Sequence, residues 1–86
     1  MNKSELKIQL EVAGIRPDAY SLDGAIADEC LVLEQQAPSV WVVYYSERGQ
    51  QTGRTDFPSE ELACAHIFRL LLRDKQYQEM QKSDNQ

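Results

Sequence analysis

The run Val40 to Ser46, VWVVYYS, constrains the fold more than any other part of the chain. An unbroken series of β-branched and aromatic side chains fits a pleated strand. Side chains alternate along a strand. Trp41, Val43 and Tyr45 therefore point one way, and Val40, Val42 and Tyr44 point the other. Both sets are apolar, which is more than a sheet with one wet face requires. One set is expected to pack under helices. The other makes an exposed aromatic or aliphatic face, unless the connection over residues 15–29 or another chain covers it.

The flanking sequence supplies the helices. Leu6 and Leu10 are four apart, as are Ile8 and Val12, which predicts a helix over residues 3–13 with an apolar stripe. Asn2 with Glu5 three residues on reads as a capping start, Gly14 as a left-handed stop, and Pro17 forbids continuation. A second helix begins at Pro58-Ser59-Glu60-Glu61. Ser59 is its N-cap, and the two glutamates oppose the positive end of its dipole. Ala63, Ile67, Leu70 and Leu71 form its core face, with Cys64 and Phe68 beside them. After Lys75 the stripe is lost, so residues 76–86 are expected to form a frayed tail and residues 1–75 the single domain.

Between the helices, strands are predicted over 30–35, 40–46 and 52–57. They are joined by a short hairpin loop at Ala37-Pro38-Ser39 and a turn around Gly49. The third is polar and belongs at an edge. A short strand at Tyr20–Leu22 would turn at Asp23-Gly24 to meet residues 25–27. The economical architecture is α+β: a twisted antiparallel sheet of three to four strands with both helices on one face, in α-β-β-β-α order. The chain of 86 residues has room for one modest core.

Charge distribution narrows function. From Pro17 to Glu47 there are six acids and no Lys or Arg, while the remainder carries eight acids and nine bases. The net charge of −5 thus belongs to one segment. Phosphate binding needs clustered Lys and Arg, so a nucleic acid is not an expected ligand. A basic protein partner is the expected one. No stretch reads as a secretory leader or a membrane span, and a cytoplasmic location is expected. Cys30 and Cys64 form no C-x-x-C pair and read as buried, reduced thiols. The lone histidine, His66, falls beside a helical core face, where a packing role is expected. No phosphate-binding glycine motif is present. No metal, cofactor or catalytic residue is expected, and the chain does not read as an enzyme.

These features point to a partner-binding surface made of the acid-only segment and the strand running into Glu47-Arg48-Gly49. Its candidate residues are Asp18, Tyr20, Asp23, Asp28, Glu29, Tyr44, Tyr45, Glu47 and Arg48. Tyrosines serve as interface anchors, and acids attract and orient a basic partner.

Across residues 14–74, the tokens Tyr20-Ser21-Leu22-Asp23-Gly24, Trp41, Tyr44-Tyr45-Ser46-Glu47-Arg48-Gly49, Phe57, and Glu61 with Ala63-Cys64 resemble small bacterial immunity proteins. These are encoded beside polymorphic or contact-dependent growth-inhibition toxins. The resemblance implies a non-catalytic protein that binds and neutralises a cognate toxin domain, often a nuclease. It implies no residue-level binding map. The competing expectation is a small interaction module that homodimerises through its open sheet face.

Overall fold

The computed structural model describes residues 1–22 and 29–84, with side chains through Gln76. Helix α1 spans Lys3–Val12, a 3-10 turn spans Pro17–Ala19, and four strands follow: β1 Tyr20–Ser21, β2 Cys30–Ala37, β3 Val40–Glu47 and β4 Gln50–Phe57. Helix α2 spans Glu60–Asp84. The class is α+β, as expected, but the order is α-β-β-β-β-α and the sheet is mixed. Its strand order is β1-β2-β3-β4. β2–β3 and β3–β4 are antiparallel, whereas β1 pairs in parallel with β2, Tyr20 beside Leu31 and Ser21 beside Val32. The expected short strand is present at Tyr20–Ser21, while the expected turn at Asp23-Gly24 and its partner over residues 25–27 lie outside the described residues.

α1 is held by local chemistry at both ends. Asn2 Oδ1 accepts from the Glu5 N–H at 2.8 Å, satisfying a donor that a helix start leaves orphaned. At the other end, the Ile15 N–H donates to the Leu10 carbonyl at 3.0 Å and the Gly14 N–H to that of Glu11 at 3.1 Å. This is a Schellman closure. It needs a left-handed residue at position 14, which glycine fills with φ +77. Its usual apolar contact is present too, because Leu10 and Ile15 share one core.

α2 grips α1 from outside. A Glu60 carboxylate oxygen accepts from the Lys3 N–H at 2.8 Å, and Lys75 donates its ammonium to the Ala13 carbonyl. The first places a carboxylate at the positive end of the α1 dipole, the second an ammonium at the negative end. The two helices therefore lie side by side in the same direction. A Cβ at position 14 would meet Lys75 Nζ at 3.0 Å, a second reason for glycine there.

Leu6, Leu10, Ala63, Cys64, Ile67 and Leu71 from the helices pack with Leu33, Trp41 and Val43 of the sheet. Both helices thus cover one sheet face, and the predicted core face of α2 stands. Ile8 and Val12 do not join it; they are 58% and 79% exposed. Two residues along a helix is a rotation of about 200°. Leu6 and Leu10 therefore lie on one side, with Ile8 and Val12 on the other. Ser59 caps α2 as expected, its Oγ accepting from the Leu62 N–H at 3.3 Å. α2 then continues to Asp84, past the expected end near Lys75. Neither glycine nor proline interrupts residues 59–84, and the tail is rich in good helix formers.

Of the two alternatives for the opposite sheet face, open or covered, the structure shows the covered one. Cys30, Val32, Val42 and Tyr44 form a second cluster, with Val42 fully buried and Tyr44 only 7% exposed. A polar arch forms part of the cover. Arg54 on β4 donates to Gln36 Oε1 on β2 at 2.8 Å and to Asp56 Oδ1 at 3.2 Å. β2 and β4 are separated by β3, so the Arg54 and Gln36 side chains together span about 10 Å of sheet. Asp56 and Glu34 are the cross-strand neighbours of Val42. The arch consequently runs over Val42, with its aliphatic stem against apolar surface and its charge outward.

Candidate functional site

The β3–β4 connection is a two-residue turn, Arg48-Gly49, in which φ is +52 and +78. Positive φ at both central residues defines a type I′ turn, whose twist matches that of its strands. Glycine occupies this conformation freely; arginine does not. A second non-glycine residue, Glu29, also takes a positive φ, +54, immediately before β2.

The register brings these residues to one end of the sheet. Cys30 pairs with Ser46, so Glu29 and Glu47 are opposed at the tips of β2 and β3. Tyr20 lies beside Leu31 in parallel, which sets Asp18, two residues earlier, at the same end. Asp18, Glu29, Glu47 and Arg48 are all exposed. Arg16 Nε lies 3.5 Å from Asp18 Oδ1 and partly offsets the negative charge. Glu11, in the last turn of α1, faces Tyr20; with burial as the larger cause, it raises the Tyr20 phenol above its ordinary value.

Tyr44 and Tyr45 do not join this group as expected. Tyr44 is buried in the second cluster, and the half-buried Tyr45 lies on the helix side of the sheet. Burial raises the Tyr44 phenol, Glu34 and Cys30 add to the rise, and Arg54 opposes it. Of the candidate tyrosines, Tyr44 is thus withdrawn from the surface, whereas Tyr20, half-buried beside Leu31, stays at the acidic sheet end. Asp23 and Asp28 lie outside the described residues.

Cys30 and Cys64 are buried thiols in different clusters on opposite sides of the sheet, not joined by a disulfide. Burial, reinforced by Glu60, pushes the Cys64 thiol up to about 11, which leaves it un-ionised and unreactive near neutrality. The His66 ring sits 5.0 Å from that of Phe57, and Arg69 Nη2 lies 3.4 Å from its Nδ1. Arginine can only donate, so this contact suits a neutral imidazole with Nδ1 accepting. Burial first, and Arg69 second, lower the His66 pKa. Among the described residues no group of three or more His, Cys, Asp or Glu side chains could hold a metal ion, and no helix is long and apolar enough to cross a membrane.

Sequence reasoning missed two features here. One is the backbone strain at Glu29 and Arg48, for which neither residue type gives a signal. The other is the bulge in β4, where Gly53 with φ +65 and Arg54 together oppose Tyr44. A glycine inside a strand pattern is the local sign of such a bulge. Comparison with known proteins gives no matching family model, no matching curated protein and no matching solved structure.

Proposed function

We propose that this chain is an immunity-type protein that binds and neutralises a basic toxin domain, a nuclease for preference, through the acidic end of its sheet. The observation that carries the reading is the convergence at that end of exposed Asp18, Glu29 and Glu47 beside two non-glycine residues in left-handed backbone. Strain of this kind costs on the order of 1 kcal/mol or more, and it persists where a side chain is retained for contact. Glycine or asparagine would occupy positions 29 and 48 more cheaply. The acid-only segment and the resemblance of residues 14–74 to immunity proteins point the same way. Tyr44 takes a supporting role in the core. A homodimer through an apolar sheet face is the weaker reading, because Val42 and Tyr44 are already buried in the single chain.

The decisive experiment pairs the protein with the toxin domain encoded next to it, scoring growth rescue on co-expression and affinity by titration calorimetry. The double variant Glu29→Lys with Glu47→Lys is expected to keep its circular dichroism spectrum and to bind at least about tenfold more weakly, with association slowed most. A folded double variant that rescues and binds like the parent would overturn this surface. Failure of the parent to rescue would overturn the function.

A further inference from the structure

Among the described residues β4 is an edge strand that pairs with β3 only, and Gln50 through Asp56 are exposed. An open edge presents unpaired backbone donors and acceptors to any extended chain. Charges usually guard such an edge, and here they are Arg54 and Asp56, two residues apart and of opposite sign. A single-sign pair repels a second copy in every register. This pair repels in some registers and attracts in one.

That register follows from symmetry. In an antiparallel pairing of β4 with β4 of a second copy about a two-fold axis at Thr55, each Arg54 falls opposite an Asp56, and the Arg54–Asp56 pair made within each chain at 3.2 Å is exchanged for one between chains. Opposite charges facing each other across strands are favourable, as is the central threonine pair. Arg54 and Asp56 lie on the same sheet face as Val42, so both ion pairs form on one side. The pairing window is bounded. Gly53 leaves extended geometry at φ +65 on one side, and Pro58 lacks an N–H on the other. We infer that the outer edge of β4, over Arg54–Asp56, is a self-association site at which two copies join their sheets antiparallel about Thr55. The short window makes the dimer weak.

The test uses sedimentation velocity over a hundredfold range of concentration reaching about 1 mM, where weak interfaces of this size become populated. The parent chain is expected to shift from monomer toward dimer. Arg54→Asp alone and Asp56→Arg alone each set like charges opposite each other in this register, and each is expected to remain monomeric. Mixed one to one, they restore opposite charges at both positions and are expected to form a heterodimer. Asp56→Arg keeps the Arg54 stem over Val42, so a folding defect in Arg54→Asp, read by circular dichroism, leaves the Asp56→Arg arm intact. A parent that stays monomeric to the highest concentration overturns the proposal. So does an Asp56→Arg variant that dimerises as well as the parent, or a mixture of two folded variants that stays monomeric.

Discussion

Val42 and Val43 are neighbours on one strand, equally buried, and on opposite faces of the sheet. Val43 lies in the cluster sealed by α1 and α2, under Leu10, Ile67 and Leu71. Val42 lies in the cluster crossed by the Arg54 arch, with Glu34 and Asp56 as its cross-strand neighbours. The same residue type is thus kept dry in two ways. On one face apolar helices bury it in close-packed contact. On the other, the methylene stem of a charged side chain helps to bury it while the charge stays wet. A close-packed core cannot collapse when atoms are removed. A flexible stem can settle into the space left behind.

The largest effect is expected on the helix side. Leu10→Ala leaves a hole between the two helices and the sheet and should cost about 3 kcal/mol, measured by urea denaturation. Next comes the pair that decides the comparison. Val43→Ala should cost about 2 kcal/mol and Val42→Ala about 1 kcal/mol, since only the first leaves a cavity that cannot close. Equal costs would mean that the two faces are packed alike. Arg54→Ala removes the arch and should cost about 1 kcal/mol, largely through lost packing. Combined with Val42→Ala it should prove non-additive, because the two residues share one contact.

At the acidic end the sign reverses. Arg48→Asn relieves a left-handed arginine in a type I′ turn and should raise stability by about 0.5 kcal/mol, while any partner contact made by the guanidinium is lost. A variant more stable and equally competent in toxin binding would remove Arg48 from the proposed surface. The smallest effect concerns His66. Its pKa is lower folded than unfolded, so folding favours the neutral ring. The contribution is complete above the ordinary histidine pKa and is lost as pH falls through the depressed folded value. His66→Gln should flatten thermal stability across that mildly acidic window and leave it unchanged above.

Much of the architecture was legible because it is written locally. Asn2, Gly14, Pro17 and Ser59 mark helix ends by what their side chains and backbones can do, and each stands where its chemistry placed it. β3 was legible from its β-branched and aromatic run. What failed was non-local. Tyr20-Ser21 is readable as extended chain, but nothing in two residues says that its partner is Leu31-Val32 in parallel. The cover over Val42 depends on Arg54 reaching Gln36 across an intervening strand, a contact eighteen positions apart in sequence. Ile8 and Val12 misled because a four-residue spacing alone does not say which side of a helix faces inward. The candidate site divides in the same way. Its acids were visible as a charge-biased segment, and their gathering at one sheet end followed only from strand register. Tyr44 and Tyr45, adjacent in sequence, were separated by the alternation that defines a strand.

The hold of Glu60 and Lys75 on the two ends of α1 sets an order of events during synthesis. The first helix leaves the ribosome with Leu6 and Leu10 bare, too short to persist by itself. Its docking site is finished only when residue 75 has emerged. Until then the growing chain carries an unsheltered oily segment, and turns translated some sixty residues later are the ones that bring it to rest.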